Sequence, residues 1–434
     1  MPLRAPRLHD ALRRFCLGAF PRLSQEVEAG ADVPFAFEEH GAGRGRPSFY
    51  EYRPLVRGFV EARASRLAGG EDAAIALEEL AREPAAAIFA RAHAGTGPGS
   101  AAGGAAALYR SVVVPLLVAT AEACGGFDWD DRAFDRAYAE LEASLFRSGH
   151  AYGAVAPLVG VSVGAVLELG GGLRVRVAAT GELAALWPEA TGLLRPGFGR
   201  EPDRVCVLEL ERDLRPRERD TDAPSAEPPD APGEIADGVT ALRLATAGPL
   251  AAGPVLFERL DWRPYAIRPV LPIAATQPAG EPIRLDVVRA ALARDVRERL
   301  GSADDDPDLG EALDRWELSL FQADPFRSEQ LRESLAALLG GGDGLPTAAL
   351  RAAILLGESG RERAELLDEL RALAAGEEAS AGAADAVRRA LVETLIQGDR
   401  PALVTGLDEA LLGLRPRPGR PVGGAVVAAR AAAG

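Results

Sequence analysis

Through the first 150 residues apolar side chains recur every three or four positions. In "YEYRPLVRGFVEARASRLAGG" Leu55, Phe59 and Leu67 share a helical face, and in "AAIALEELAREPAAAIFARAHAG" Ile75, Leu80, Ile88 and Phe89 do the same. Residues 127–146 place Phe134, Tyr138, Leu141 and Leu145 at helical spacing behind an aspartate suited to a cap. After residue 150 the period changes. Leu173, Val175 and Val177 alternate with Arg174 and Arg176, the two-residue repeat of a half-buried strand, and the glycines at 170–172 supply a turn before it. "RVCVLELER" (204–212) predicts a second strand, and "PVLFERLDWRPYAIRPVLPIAA" continues extended, with prolines suited to edges.

Helical spacing returns near residue 285. Leu309, Leu313, Trp316 and Leu320 form one face, and Leu331, Leu335, Leu338 and Leu339 form the next, which Gly340 to Gly342 end. Ser359 and Glu362 stand at capping-box spacing before the stripe of Leu366, Leu370 and Leu373. Val387, Leu391 and Leu395 follow, then a helix from Asp399 that stops at Gly413. The pattern predicts an α+β, mainly α chain in three regions. Residues 1–150 are an N-terminal helical region, 151–284 a mixed α/β module, and 285–434 a helical bundle with a flexible C-terminal tail. The charged, proline-rich "RPRERDTDAPSAEPPDAPGE" (215–234) holds too little apolar surface to order itself and reads as a loop within the module.

The formal charge of −15 repels phosphate backbones at long range, so RNA contact would need a local basic patch. Aromatic residues are 6% of the chain, which leaves little stacking surface for bases. Cys16, Cys124 and Cys206 stand in unrelated contexts, without the spacing of a thiolate metal site or a disulfide framework. The basic N-terminus lacks the apolar run of a signal peptide. "VVVPLLVATA" (112–121) is far short of a spanning helix and reads as a buried one. These features place the protein in the cytoplasm, with no membrane, metal or cofactor expected.

Several segments together resemble a known family. "AYGAVAPLVGVSVGAVLELGGGLRVRVAATGELAAL" and "GVTALRLATAGPLAAGPVLFE" resemble the front module of bacterial Apea-like HEPN proteins. "ALDRWELSLFQADPFRSEQLRESLAALLG", "LRAAILLGESGRERAELLDELRAL" and "VRRALVETLIQGDRPALVTGLDEALLG" resemble the helices of their bundle, so the likeness spans residues 105–413. It implies a HEPN-like bundle, commonly dimeric, which in active members is a metal-independent endoribonuclease with an Arg-x4–6-His motif. Such cleavage needs a base or acid near neutral pKa, which histidine supplies, and a cation for the charge developing on phosphate, which arginine supplies. The resemblance places that pair between Ala374 and Gly382, where this chain reads "AAGEEASAG" and has no histidine anywhere after His150. The resemblance therefore implies a catalytically degenerate protein, a binding or regulatory component in bacterial defence or stress response. It also implies a homodimer, open to a protein partner.

Two further readings stand beside it. An active endoribonuclease with a relocated site would use His93 or His150, the catalytic candidates; a structural oligomerisation module would use neither. Arg4 to His9 matches Arg-x4-His formally but lies outside the resembling bundle, and His40 and His93 fit no metal-ligand spacing. "GAGRGR" (41–46) and "GTGPGSAAGG" (95–104) lack the strand and the Gly-Lys-Ser/Thr of a phosphate loop; the second reads as a mobile loop. The binding candidates are Arg44, Arg46, Arg53 and Tyr52, which with Arg57 make a basic and aromatic cluster at a helix start, and Arg327, Glu329, Arg332 and Glu333 in the bundle. Ser319 and Cys206 lack a histidine pattern nearby and are set aside as nucleophiles.

Overall fold

The computed structural model describes residues 3–40, 49–92, 104–146, 149–179, 181–187, 189–193, 205–214, 229–248, 250–261, 263–276 and 283–419. The glycine-rich 95–103, the proline-rich 215–228 and the tail from 420 lie outside them. The chain is α+β and mainly helical, with one antiparallel sheet at its centre.

The N-terminal part begins with α1 (Pro6–Glu28), whose Leu8, Leu12, Phe15, Phe20 and Leu23 form a buried stripe. A hairpin of β1 (Phe35–His40) and β2 (Phe49–Pro54) follows, then α2 (Val56–Glu61), α3 (Ala64–Leu67), α4 (Glu71–Arg82) and α5 (Pro84–Ala92). The hairpin departs from the helical expectation for this region: the stretch read as one helix face from Tyr50 onward starts as a strand. The helix predicted through Ile75 and Phe89 is likewise two. Pro84 disfavours helical backbone in the residue before it, and Glu83 takes φ −95° and ψ 109°.

A short α6 (Ala105–Leu108) runs through the π-turn Tyr109–Val113 into α7 (Val114–Cys124), and α8 (Asp131–Leu145) closes the region behind its Asp130 cap. Ala105–Cys124 is thus one helical run of 20 residues, long and apolar enough to cross a membrane by length and composition, which corrects the shorter reading; 72% of its apolar window lies inside the protein. Pro115 has no N–H for the Ser111 carbonyl one turn earlier. Arg263, from a strand of the sheet, replaces it, donating from Nη1 at 2.6 Å.

The sheet contains β3 (His150–Val159), β5 (Leu167–Glu168), β6 (Leu173–Val177), β7 (Cys206–Leu214), β8 (Ala251–Ala252), β9 (Val255–Leu260) and β10 (Arg263–Pro269), and the short β4 (Val161–Ser162) stands outside it. The main order is β10-β9-β3-β7-β6-β5; β8 pairs with β3, while β4 makes a separate parallel pair with β11 (Ile283–Arg284). Short α9 (Glu182–Leu186) and α10 (Ala190–Leu193) follow β6, and α11 (Ala231–Thr246) follows β7. Alternation divides the faces: Tyr152, Ala154, Leu173, Val175, Leu208 and Leu210 turn toward the helices, while Arg174, Arg176 and Glu209 turn away. Gly238 lets α11 approach closely, since a Cβ there would meet Leu173 Cδ2 at 2.7 Å. That helix begins inside the segment expected to be loop to residue 234. Asp230 caps it, accepting from the Gly233 N–H at 3.3 Å, with Pro232 in the first turn.

After α12 (Pro272–Ala275) come α13 (Val287–Leu300), α14 (Ser302–Asp305), α15 (Pro307–Ser319), α16 (Phe326–Leu339), α17 (Leu345–Leu356), α18 (Gly360–Ala374), α19 (Ala381–Gln397) and α20 (Arg400–Leu411). The apolar stripes are buried as expected apart from Leu320 and Leu366, which are half-buried; the Ser359/Glu362 capping box is formed, and Asp399 caps α20. Arg351 ends α16 by donating to the carbonyls of Leu339 and Gly340 at 2.8 and 2.9 Å. One apolar core runs from the inner face of the sheet through these helices, Tyr152 to Leu407, and a separate core holds the N-terminal helices.

Candidate functional site: a cleft at the helix ends

The stretch "AAGEEASAG" forms the turn between α18 and α19. Gly376 takes φ +97°, a left-handed conformation that favours glycine. Ser380 caps α19, accepting from the Ala383 N–H at 2.9 Å, and also donates to Glu369. The Ala379 N–H donates to Ser328 Oγ at 2.8 Å, which holds the turn against α16. The soft residues therefore carry a structural duty: small side chains let a tight turn lie on a neighbouring helix.

Beside that turn the ends of four helices enclose a cleft of about 350 Å³. The C-terminal end of α11 and the residues after it supply Arg243, Ala247 and Gly248; α15 and the residues after it supply Trp316, Ser319, Leu320 and Gln322. Arg327 and Leu331 come from α16, and Ala381, Ala384, Asp385 and Arg388 from α19.

Its three arginines differ in what they meet. Arg243 is fully buried and donates to the carbonyls of Leu250, Ile273 and Thr276 at 2.9, 3.0 and 2.6 Å, and to Glu317 Oε1 at 3.2 Å. Burial pushes the Glu317 carboxyl above its ordinary value against the pull of Arg243 and Thr240, and burial pushes the Arg243 guanidinium down. Arg388 is held by Asp385 at 2.6 Å and by the Leu244 carbonyl. The Arg327 side chain, half-buried at the rim, has no ion pair or hydrogen bond among the described residues. The buried Oε1 of Gln322 likewise lacks a hydrogen-bond partner there. An uncompensated cation and an unused acceptor thus share one cleft.

Among the described residues the cleft lining includes no histidine, and the Ser319 hydroxyl donates to the Trp316 carbonyl at 2.6 Å. Among the described residues no group of three metal-ligating side chains converges. Neither a family model, nor a curated protein, nor a solved structure matches this chain.

The structure separates the residues singled out from sequence. Of the four bundle candidates only Arg327 lines the cleft. Glu329 is exposed, and Arg332 reaches the Glu377 carbonyl at 3.4 Å. Glu333 faces Arg315 on α15 at 2.7 Å, an ion pair by distance that is not aligned as a hydrogen bond. His150 opens β3, with its Nδ1 2.8 Å from Asp261 Oδ2, while the other carboxylate oxygen of Asp261 accepts from the Ala151 N–H at 3.0 Å. Neither His150 nor Asp261 lines the cleft.

His93, Arg44 and Arg46 lie outside the described residues; Tyr52 and Arg53 belong to β2, where only the backbone is described. Arg57 corrects the picture of a solvated basic patch. It is 4% exposed and reaches the Ala185 carbonyl at 3.4 Å, between Glu61 and Glu122 at 3.6 and 3.7 Å. With Arg263 it joins the N-terminal helices to the outer side of the sheet. Burial first, and Arg57 second, push Arg263 down to about 10.

Gln322, Arg388 and Arg243 were missed in the sequence. A signal for Arg243 existed: a lone cation in the apolar run "VTALRLAT" must find a buried anion or a set of carbonyls.

Proposed function

We propose that the protein is a catalytically degenerate, HEPN-like component that binds rather than cleaves. It works in the cytoplasm as a homodimer through the helical bundle, in a bacterial defence or stress response. One observation carries the reading: among the described residues, the cleft beside the turn where the resemblance expects a catalytic pair has a free arginine and no histidine. A single cation stabilises a bound anion, but without an acid or base it cannot move the protons that 2′-hydroxyl attack on RNA demands. The exposed Val287 and Val288 at the start of α13, 72% and 64% accessible, support the dimer as apolar surface for it to cover.

The test is incubation of purified protein with total cellular RNA beside a relative that keeps the Arg and His. The expected result is intact RNA next to a cleaved control. Cleavage that persists through purification and disappears in His150→Ala would overturn the reading in favour of a relocated active site.

A further inference from the structure

We infer that the cleft between α11, α15, α16 and α19 is a binding site for a small monocarboxylic acid with an apolar body and an N–H or O–H near the carboxylate. The inference deepens the binding reading of the same cleft and does not depend on kinship with HEPN proteins.

The ligand's charge follows from the arginines. Glu317 matches Arg243 and Asp385 matches Arg388, so Arg327 is the one lining cation without a counter-charge among the described residues. One uncompensated positive charge balances a monoanion, whereas a phosphate dianion calls for more donors than this wall offers. Arginine's planar fork donates two parallel hydrogen bonds to a carboxylate.

The second feature is Gln322. Its Oε1 is buried at the cleft without a donor, and a buried acceptor left unpaired is costly. Its oxygen is shut off from the cleft, and a ligand N–H or O–H supplies that donor once the amide turns toward it. Beside the Asp385–Arg388 pair and the Ser319 hydroxyl, which donates within its own helix, Leu320, Leu331, Ala381 and Ala384 give the wall an apolar part that suits a hydrocarbon or aromatic body. A volume of about 350 Å³ lies at the small end of ligand pockets, roughly 300–1,000 Å³, and admits a compact acid rather than a dinucleotide.

The experiment is isothermal titration of the full chain with hippurate, which combines a carboxylate, an adjacent amide N–H and a phenyl ring. Benzoate, which lacks the N–H, hippuramide, which lacks the charge, and inorganic phosphate are run alongside. Saturable one-site binding of hippurate is expected, with benzoate weaker by about fivefold for one lost hydrogen bond. Hippuramide and phosphate are expected to give no saturable heat. Arg327→Gln should weaken hippurate by more than about tenfold, and Gln322→Leu should remove its advantage over benzoate. Arg361→Gln, on a side chain 88% exposed on α18, should change nothing. Far-ultraviolet circular dichroism checks that each variant is folded.

Failure of hippurate and benzoate alike to saturate at millimolar concentration overturns the proposal. So does hippurate binding that Arg327→Gln leaves intact, or tighter binding of phosphate than of hippurate. These outcomes are separate from the RNA assay, in which cleavage would overturn the non-catalytic reading whether or not a carboxylate binds.

Discussion

The outer face of the sheet and the cleft at the helix ends are both rich in arginine, and they use it in opposite ways. On the sheet, Arg176 joins Glu209 at 2.6 Å and Glu182 at 2.5 Å, Arg174 joins Glu209 at 2.8 Å, and Arg259 joins Glu211 at 2.6 Å. Gly153 makes room for this ladder, because a Cβ there would sit 2.6 Å from Arg259 Nε. Every one of these charges has an answer within the chain. In the cleft the two deeper arginines are answered and Arg327 is not. Paired arginines describe how the molecule is held together, and the unpaired one marks where it meets something else.

On that contrast, removing a paired arginine costs stability, while removing Arg327 costs binding alone. The largest effect belongs to Arg243→Met, which strands Glu317 in the core and leaves three carbonyls without a donor. Urea unfolding should show a loss of about 3–5 kcal/mol, and the double variant Arg243→Met/Glu317→Leu should recover part of it. A single variant within about 1 kcal/mol of the parent would show that this buried pair is dispensable. Next is Arg263→Met, which leaves the Ser111 carbonyl beside Pro115 unanswered. The expected loss is about 2 kcal/mol, with faster proteolysis between the N-terminal helices and the sheet; unchanged proteolysis would show that this bond does not join them.

A smaller and pH-dependent effect belongs to Glu209, which is 3% exposed. Burial raises its carboxyl, but Arg176 and Arg174 outweigh burial and hold it below the ordinary glutamate value. A depressed folded-state pKa means that folding favours the anion. The contribution is fully present above the unfolded value and is lost as pH falls through the folded one. Glu209→Gln should therefore be less stable than the parent at neutral pH by about 1–3 kcal/mol, with the gap closing below about pH 4. A gap independent of pH would assign the effect to packing. Arg327→Gln should sharpen the contrast from the other side, by shifting stability less than about 0.5 kcal/mol.

Much of the bundle was legible in the sequence because its signals are local. Leucines at three- and four-residue spacing, the Ser359/Glu362 box and the Asp399 cap each declare a helix without help from distant residues. The β1–β2 hairpin was not legible, because its pairing depends on a partner strand rather than on local period. The start of α11 was hidden by composition: Asp230 and Pro232 are a sound helix start, but they stand at the end of a proline-rich stretch. The cleft was legible only in Arg327. Glu317, which answers Arg243, is 74 residues away, and whether an arginine has an answering carboxylate is a property of the folded surface.

The most direct test of the central claim compares those arginines in one sample. Nitrogen-15 labelling resolves the Nε–Hε signals of arginine side chains, and Arg327→Gln and Arg243→Lys each identify a signal by its disappearance. On addition of hippurate, the Arg327 signal should shift to saturation while that of Arg243, already committed within the fold, stays in place. A stationary Arg327 signal, or equal movement of the two, would contradict the account.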